Sequence, residues 1–79
     1  MTPYVTDEKP TPQDAALLAA QGRMPQRFAV IGDFHSREGE RHVAAMVDTH
    51  AAAERVNVKG RTVYRTTLRG WRVVRPAVV

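Results

Sequence analysis

Seventy-nine residues with 12 lysines and arginines against 8 acids, a net charge of +4, set the scale of a single small domain. Eleven of the apolar residues are alanine, so the core is thin, and a homodimer is one way to bury what a single copy cannot. The absence of cysteine excludes disulfide staples and thiolate metal sites. The lack of any run of 18 apolar residues excludes a spanning helix, so no membrane partner is expected.

Residues 1–10, rich in proline, threonine and charge, read as a flexible arm that leads into one domain over 11–79. The opening MTPYVTDEKPTP lacks the basic-then-apolar order of a signal peptide, and a cytoplasmic location is expected. Thr11 to Gly22 reads as a short helix with Thr11 as N-cap, Pro12 at the first helical position and Asp14 three residues after the cap. Ala15, Leu18 and Ala19 form its apolar side, with Leu17 beside them. GRMPQ, residues 22–26, follows as a loop.

Arg27–Ile31 is the first strand, and its nearly unbroken apolar run predicts a central position covered on both faces. A second and main helix is expected over 36–49, capped by Ser36, with Val43, Met46 and Val47 on one stripe and Arg41 towards the opposite side. Arg55–Val58 and Thr62–Leu68 read as a hairpin around VKGR, with Gly60 in the turn. A last strand over Trp71–Arg75 is bounded by Gly70 and Pro76. The expected fold is α+β, a four-stranded antiparallel sheet with the main helix packed on it and the short N-terminal helix added.

Charge is divided unevenly along this plan. The first 54 residues hold all eight acids and five bases, while the last 25 hold seven bases and no acid, so −3 is joined to +7. Alternation along a strand places Arg61, Arg65 and Arg69 on one side. With Arg55, Lys59, Arg72 and Arg75 they form a candidate binding face for carboxylates or phosphates, because the guanidinium fork suits either. Tyr64 and Trp71 are interleaved and could stack on bases, although a tryptophan in so small a protein more often belongs to the core. A rigid cationic sheet face suits one definite anionic partner.

Catalytic chemistry finds little purchase. Gly32-Asp33-Phe34-His35 resembles the first motif of metallophosphoesterases, which would make Asp33 and His35 metal ligands. The resemblance stops at four residues, with no downstream GD or GNH motif. As turn and capping residues, Asp33 and Ser36 need no metal. His42 and His50 on one helix would lie about 80° apart and would not converge on one ion. No catalytic residue, metal or cofactor is expected, and the chain is not read as an enzyme.

Two broader resemblances bear on function. FAVIGDFHSREGERHVAAMV followed by VKGRTVYRTTLRGW, roughly residues 27–68, partly resembles the SPOR domain. Phe28, Gly32 and Phe34 match its first strand and Tyr64-Arg65 its YR strand, which would imply binding to peptidoglycan glycan. Val30 stands where that family usually has glutamine. In size and character the whole chain resembles the anti-CRISPR proteins of phages and other mobile elements, and its Arg/Ala/Val-heavy composition suits a GC-rich bacterial host. That resemblance transfers no residues. It implies an inhibitor whose partner is a host protein complex, a CRISPR effector subunit, with direct binding to nucleic acid as the alternative.

Overall fold

Phe28–Ile31 decides the architecture, because four consecutive bulky or apolar residues can be buried only if both faces of their strand are covered. In a computed structural model of the chain, which describes residues 3–21, 27–35 and 37–75, that strand is an interior one. The elements are β1 (Tyr4–Val5), α1 (Pro12–Ala20), β2 (Phe28–Phe34), β3 (Arg37–Val47), α2 (His50–Glu54), β4 (Thr62–Thr67) and β5 (Gly70–Arg75). The strands form one sheet in the order β1-β5-β4-β2-β3, with every neighbouring pair antiparallel.

Cross-strand partners point to the same face, so the register separates two core layers. Ala29, Tyr64 and Val73 lie abreast, joined by Ile31, and α1 covers them with Leu18 and Leu17. Phe28, Val30 and Val74 face the other way and meet Ala53 of α2, together with Val56 and Val58 from the segment 55–61. Thr11 caps α1 by accepting a hydrogen bond from the Asp14 backbone N–H at 3.2 Å, and Thr49 caps α2 in the same way from Ala52 at 3.1 Å. The expected features Gly22, the 22–26 loop, Ser36 and Pro76 lie outside the described residues. No helix among the described residues is long and apolar enough to cross a membrane.

Three expectations are corrected. The largest concerns residues 36–49: no main helix forms there, and residues 37–47 are an eleven-residue edge strand paired with β2. Its register slips between Val30 and Ile31, so Ala44 is left as a bulge between Val43 and Ala45. The bulge puts Val43 and Met46, three residues apart, on one face of the strand, a spacing that imitates a helix, while Val47 packs on the other face. Pairing with the buried β2 overrides the good helix propensity of the arginine, glutamate, alanine and methionine in this segment.

The second correction is Arg55–Val58, which is irregular chain, not the first arm of a hairpin. It crosses β2 so closely that a Cβ on Gly32 would stand 2.6 Å from Val58 Cγ2, and Lys59 O accepts the Asp33 N–H at 2.7 Å. Third, the sheet has five strands instead of four. The added β1 comes from the segment expected as an arm, where Tyr4 and Val5 pair with Arg75 and Val74 and Thr6 N–H donates to Val73 O at 2.9 Å.

Candidate functional site

Two clusters of charge compete for attention, and only one faces outward. The inward one begins at Asp14, which lies one helical turn before Leu18 and therefore on the buried side of α1. Asp14 is 1% exposed. Arg41 of β3 reaches it with Nε 2.8 Å from Oδ1 and an Nη2 bond of 3.2 Å to Oδ2, and Tyr64 of β4 donates its hydroxyl to the same carboxylate. Arg41 Nη1 donates to Gly60 O at 2.9 Å, and Nη2 shares its N–H groups with Thr62 Oγ1 at 2.9 Å and Ile31 O at 3.3 Å as well, with Asp33 Oδ1 3.7 Å from Nη1. Burial, and then the hydrogen bond to Asp14, push the Tyr64 phenol well above its ordinary range. Asp14 and Arg41 neutralise each other inside the fold, with Asp33 beside the same guanidinium, so this knot joins α1 to the sheet.

The seven cations predicted as a binding face separate into those engaged by the fold and those left over. Arg61 lies outside β4, and its Nη1 donates to Glu54 O at 2.6 Å and Val56 O at 3.2 Å, tying down the end of α2. Lys59 pairs with Glu38 at 3.4 Å and Arg75 with Glu8 at 2.8 Å, both on the surface. Arg55 is exposed just past α2. Arg65 and Arg72 are register partners on neighbouring strands, and the Arg65 guanidinium lies 5.6 Å above the Phe28 ring. Arg69 is exposed in the turn between β4 and β5. The straight stripe Arg61–Arg65–Arg69 is thus not formed, since its first and last members lie outside the strand. Tyr64 and Trp71 belong to the core: Tyr64 is buried, and Trp71 is half-buried against the layer under α1.

What remains is concentrated at one end of the molecule. Arg65, Arg69 and Arg72 have no ion-pair partner among the described residues, although Arg72 Nη1 donates to Trp71 O at 2.8 Å, and Arg27, whose carbonyl accepts the Thr66 N–H at 2.9 Å, lies at the same end. Between them the β4–β5 turn projects Leu68, which is fully exposed. Thr67 Oγ1 accepts from Arg69 N and Gly70 takes a φ of 99°, so the turn is formed without help from the leucine side chain.

Beside this turn runs a groove of about 540 Å³ between α1 and β5. Pro10, Ala15, Leu18, Ala19 and Trp71 make its apolar lining, and Lys9, Arg69 and Arg72 supply the only charges along it among the described residues. Of the expected apolar side of α1, Leu18 is buried and Leu17 half-buried, but Ala15 and Ala19 are exposed and Asp14 takes a buried place beside Leu18. A second depression on the other side of the turn, about 350 Å³, is lined by Val5, Thr6, Asp7, Thr67, Leu68, Arg69 and Arg72. Arg69 and Arg72 therefore border both.

No known family, characterised protein or solved structure matches this chain. The site must be judged on its own chemistry. Asp33, half of the GDFH motif, lies against Arg41 and the glycine turn at Gly60, whose added Cβ would come within 3.0 Å of its carboxylate. His35 sits in the β2–β3 turn with a positive φ of 31°. Neither is joined with a further acid or histidine in a metal-binding group among the described residues. Sequence reasoning missed the Asp14–Arg41 pair and Leu68. The first had a signal, because Asp14 shares the helical face of Leu18 and a buried acid demands a cation. The second was hidden by assigning Leu68 to the strand.

Proposed function

We propose that this protein is a non-enzymatic binding protein that docks an acidic protein surface onto the end of its sheet carrying the β4–β5 turn. One observation carries this reading: Leu68 projects fully exposed amid Arg65, Arg69 and Arg72, none of which has an ion-pair partner among the described residues. Neither turn chemistry nor packing accounts for a leucine there, since turns favour glycine, asparagine, aspartate and serine. An apolar point ringed by arginines, beside an apolar groove, matches the anatomy of a protein interface, where arginine and aromatic residues are enriched. A single-stranded nucleic-acid site at this end would present exposed aromatic platforms, and here Tyr64 is buried and Trp71 half-buried, while the exposed Tyr4 and Phe34 lie away from the turn, paired in register with Arg75 and Arg37.

The specific form of this proposal is an inhibitor that blocks a host CRISPR interference complex, supported by the chain's size and by its uneven charge. Affinity capture from the source cells with the wild-type protein and with a Leu68→Asp, Arg69→Glu double variant tests the docking surface. The wild type is expected to retain a protein that the folded double variant loses. A gel-shift titration distinguishes the alternative, because a phosphate-tracking face binds DNA or RNA at about 50 mM salt and weakens steeply as salt rises.

A further inference from the structure

We propose that the groove between α1 and β5 receives a short acidic segment of the partner protein, anchored by one bulky apolar side chain. The assignment rests on the docking reading above and names what the partner must contribute. Ala15 and Ala19 are small residues on successive turns of the outer flank of α1, and they leave room that a larger side chain would fill. Leu18 closes the floor and Trp71 forms the opposite wall. The volume of about 540 Å³ is within the range that holds a compact ligand group. Lys9, Arg69 and Arg72 line this groove and no acid is among its lining residues, Asp7 lying in the second depression instead, so the complementary segment carries carboxylates on either side of its apolar anchor. A strand of nucleic acid would satisfy the rim and leave the alanine and leucine lining without a match. A second copy docking through the same face by two-fold symmetry would bring its own cationic turn towards a cationic rim.

Trp71 is the sole tryptophan, so its emission reports occupancy of the groove directly. The probe is an acetylated heptapeptide of glutamate and aspartate with one central leucine. A peptide with lysine in place of each acid is the control, and oligothymidylate is the competing ligand. The acidic peptide is expected to shift the Trp71 emission saturably with a Kd of about 10–100 μM. Filling the groove with A15L and A19L together is expected to weaken it by about tenfold or more, as is the R69E, R72E reversal. The melting temperature of each variant confirms that it is folded, and the charge reversal keeps the test open if the filled variant does not fold. No shift at about 1 mM peptide overturns the assignment, as does an equal shift from the lysine control or a shift from oligothymidylate alone. If the peptide fails while Leu68→Asp still abolishes partner capture, the groove assignment falls and the docking reading stands. If capture survives Leu68→Asp, the docking reading itself falls.

Discussion

Arg41 and Arg69 show what position does to the same side chain. Arg41 points under α1, where it meets two carboxylates, two backbone carbonyls and a threonine hydroxyl, and its side chain is only 17% exposed. Arg69 stands in a turn with solvent around it and no ion-pair partner among the described residues. The first is a structural bolt between helix and sheet. The second contributes nothing visible to the fold and is free to serve a partner. Counting arginines along the chain pointed at the acid-free C-terminal third, yet the arginine most deeply committed to the structure lies outside that third.

If the contrast holds, removing either half of the bolt has the largest effect. Asp14→Ala or Arg41→Ala leaves a buried charge without its partner and is expected to cost about 3–5 kcal/mol in urea denaturation, enough to unfold a domain this small. Tyr64→Phe keeps the ring and deletes one hydrogen bond to a charged acceptor, so about 2 kcal/mol is expected. That residue also sets an alkaline limit. Burial and Asp14 raise the phenol's folded-state pKa above its ordinary value of 10.0, so the folded protein holds this proton more tightly than the unfolded chain. Its contribution is complete below that value and is lost as pH rises beyond it, by up to about 1.4 kcal/mol per pH unit. Tyr64→Phe is expected to remove this part of the alkaline slope. Arg61→Ala, which frees the carbonyls at the end of α2, is expected to cost about 1 kcal/mol.

Local rules read correctly wherever the chain obeys them locally. Thr11, Pro12 and Asp14 placed α1 to within a residue, and the RFAVI run placed β2 in the interior with both faces covered. Within β4, Tyr64 and Val63 pack into opposite layers, as strand alternation requires. The failure over 36–49 has a definite source in Ala44. A single bulged residue changes an alternating pattern into one with Val43 and Met46 three apart, and residues of good helix propensity reinforce the wrong period. Only the pairing with β2 distinguishes the two, and pairing is not a local property. The same limit applies to the site. Asp14 could be suspected from its helical face, whereas the meeting of Lys9 and Trp71 across the α1–β5 groove depends on tertiary packing.

The smallest expected change in stability and the largest in binding belong to the same variant. Leu68→Asp with Arg69→Glu alters two exposed turn residues and is expected to shift stability by less than about 0.5 kcal/mol. Measured side by side, denaturation should superimpose on the wild type while capture of the partner protein is lost. A double variant that unfolds early would show that the turn is part of the fold's own support. One that stays folded and still captures the partner would contradict the assignment of this end of the sheet as the docking surface.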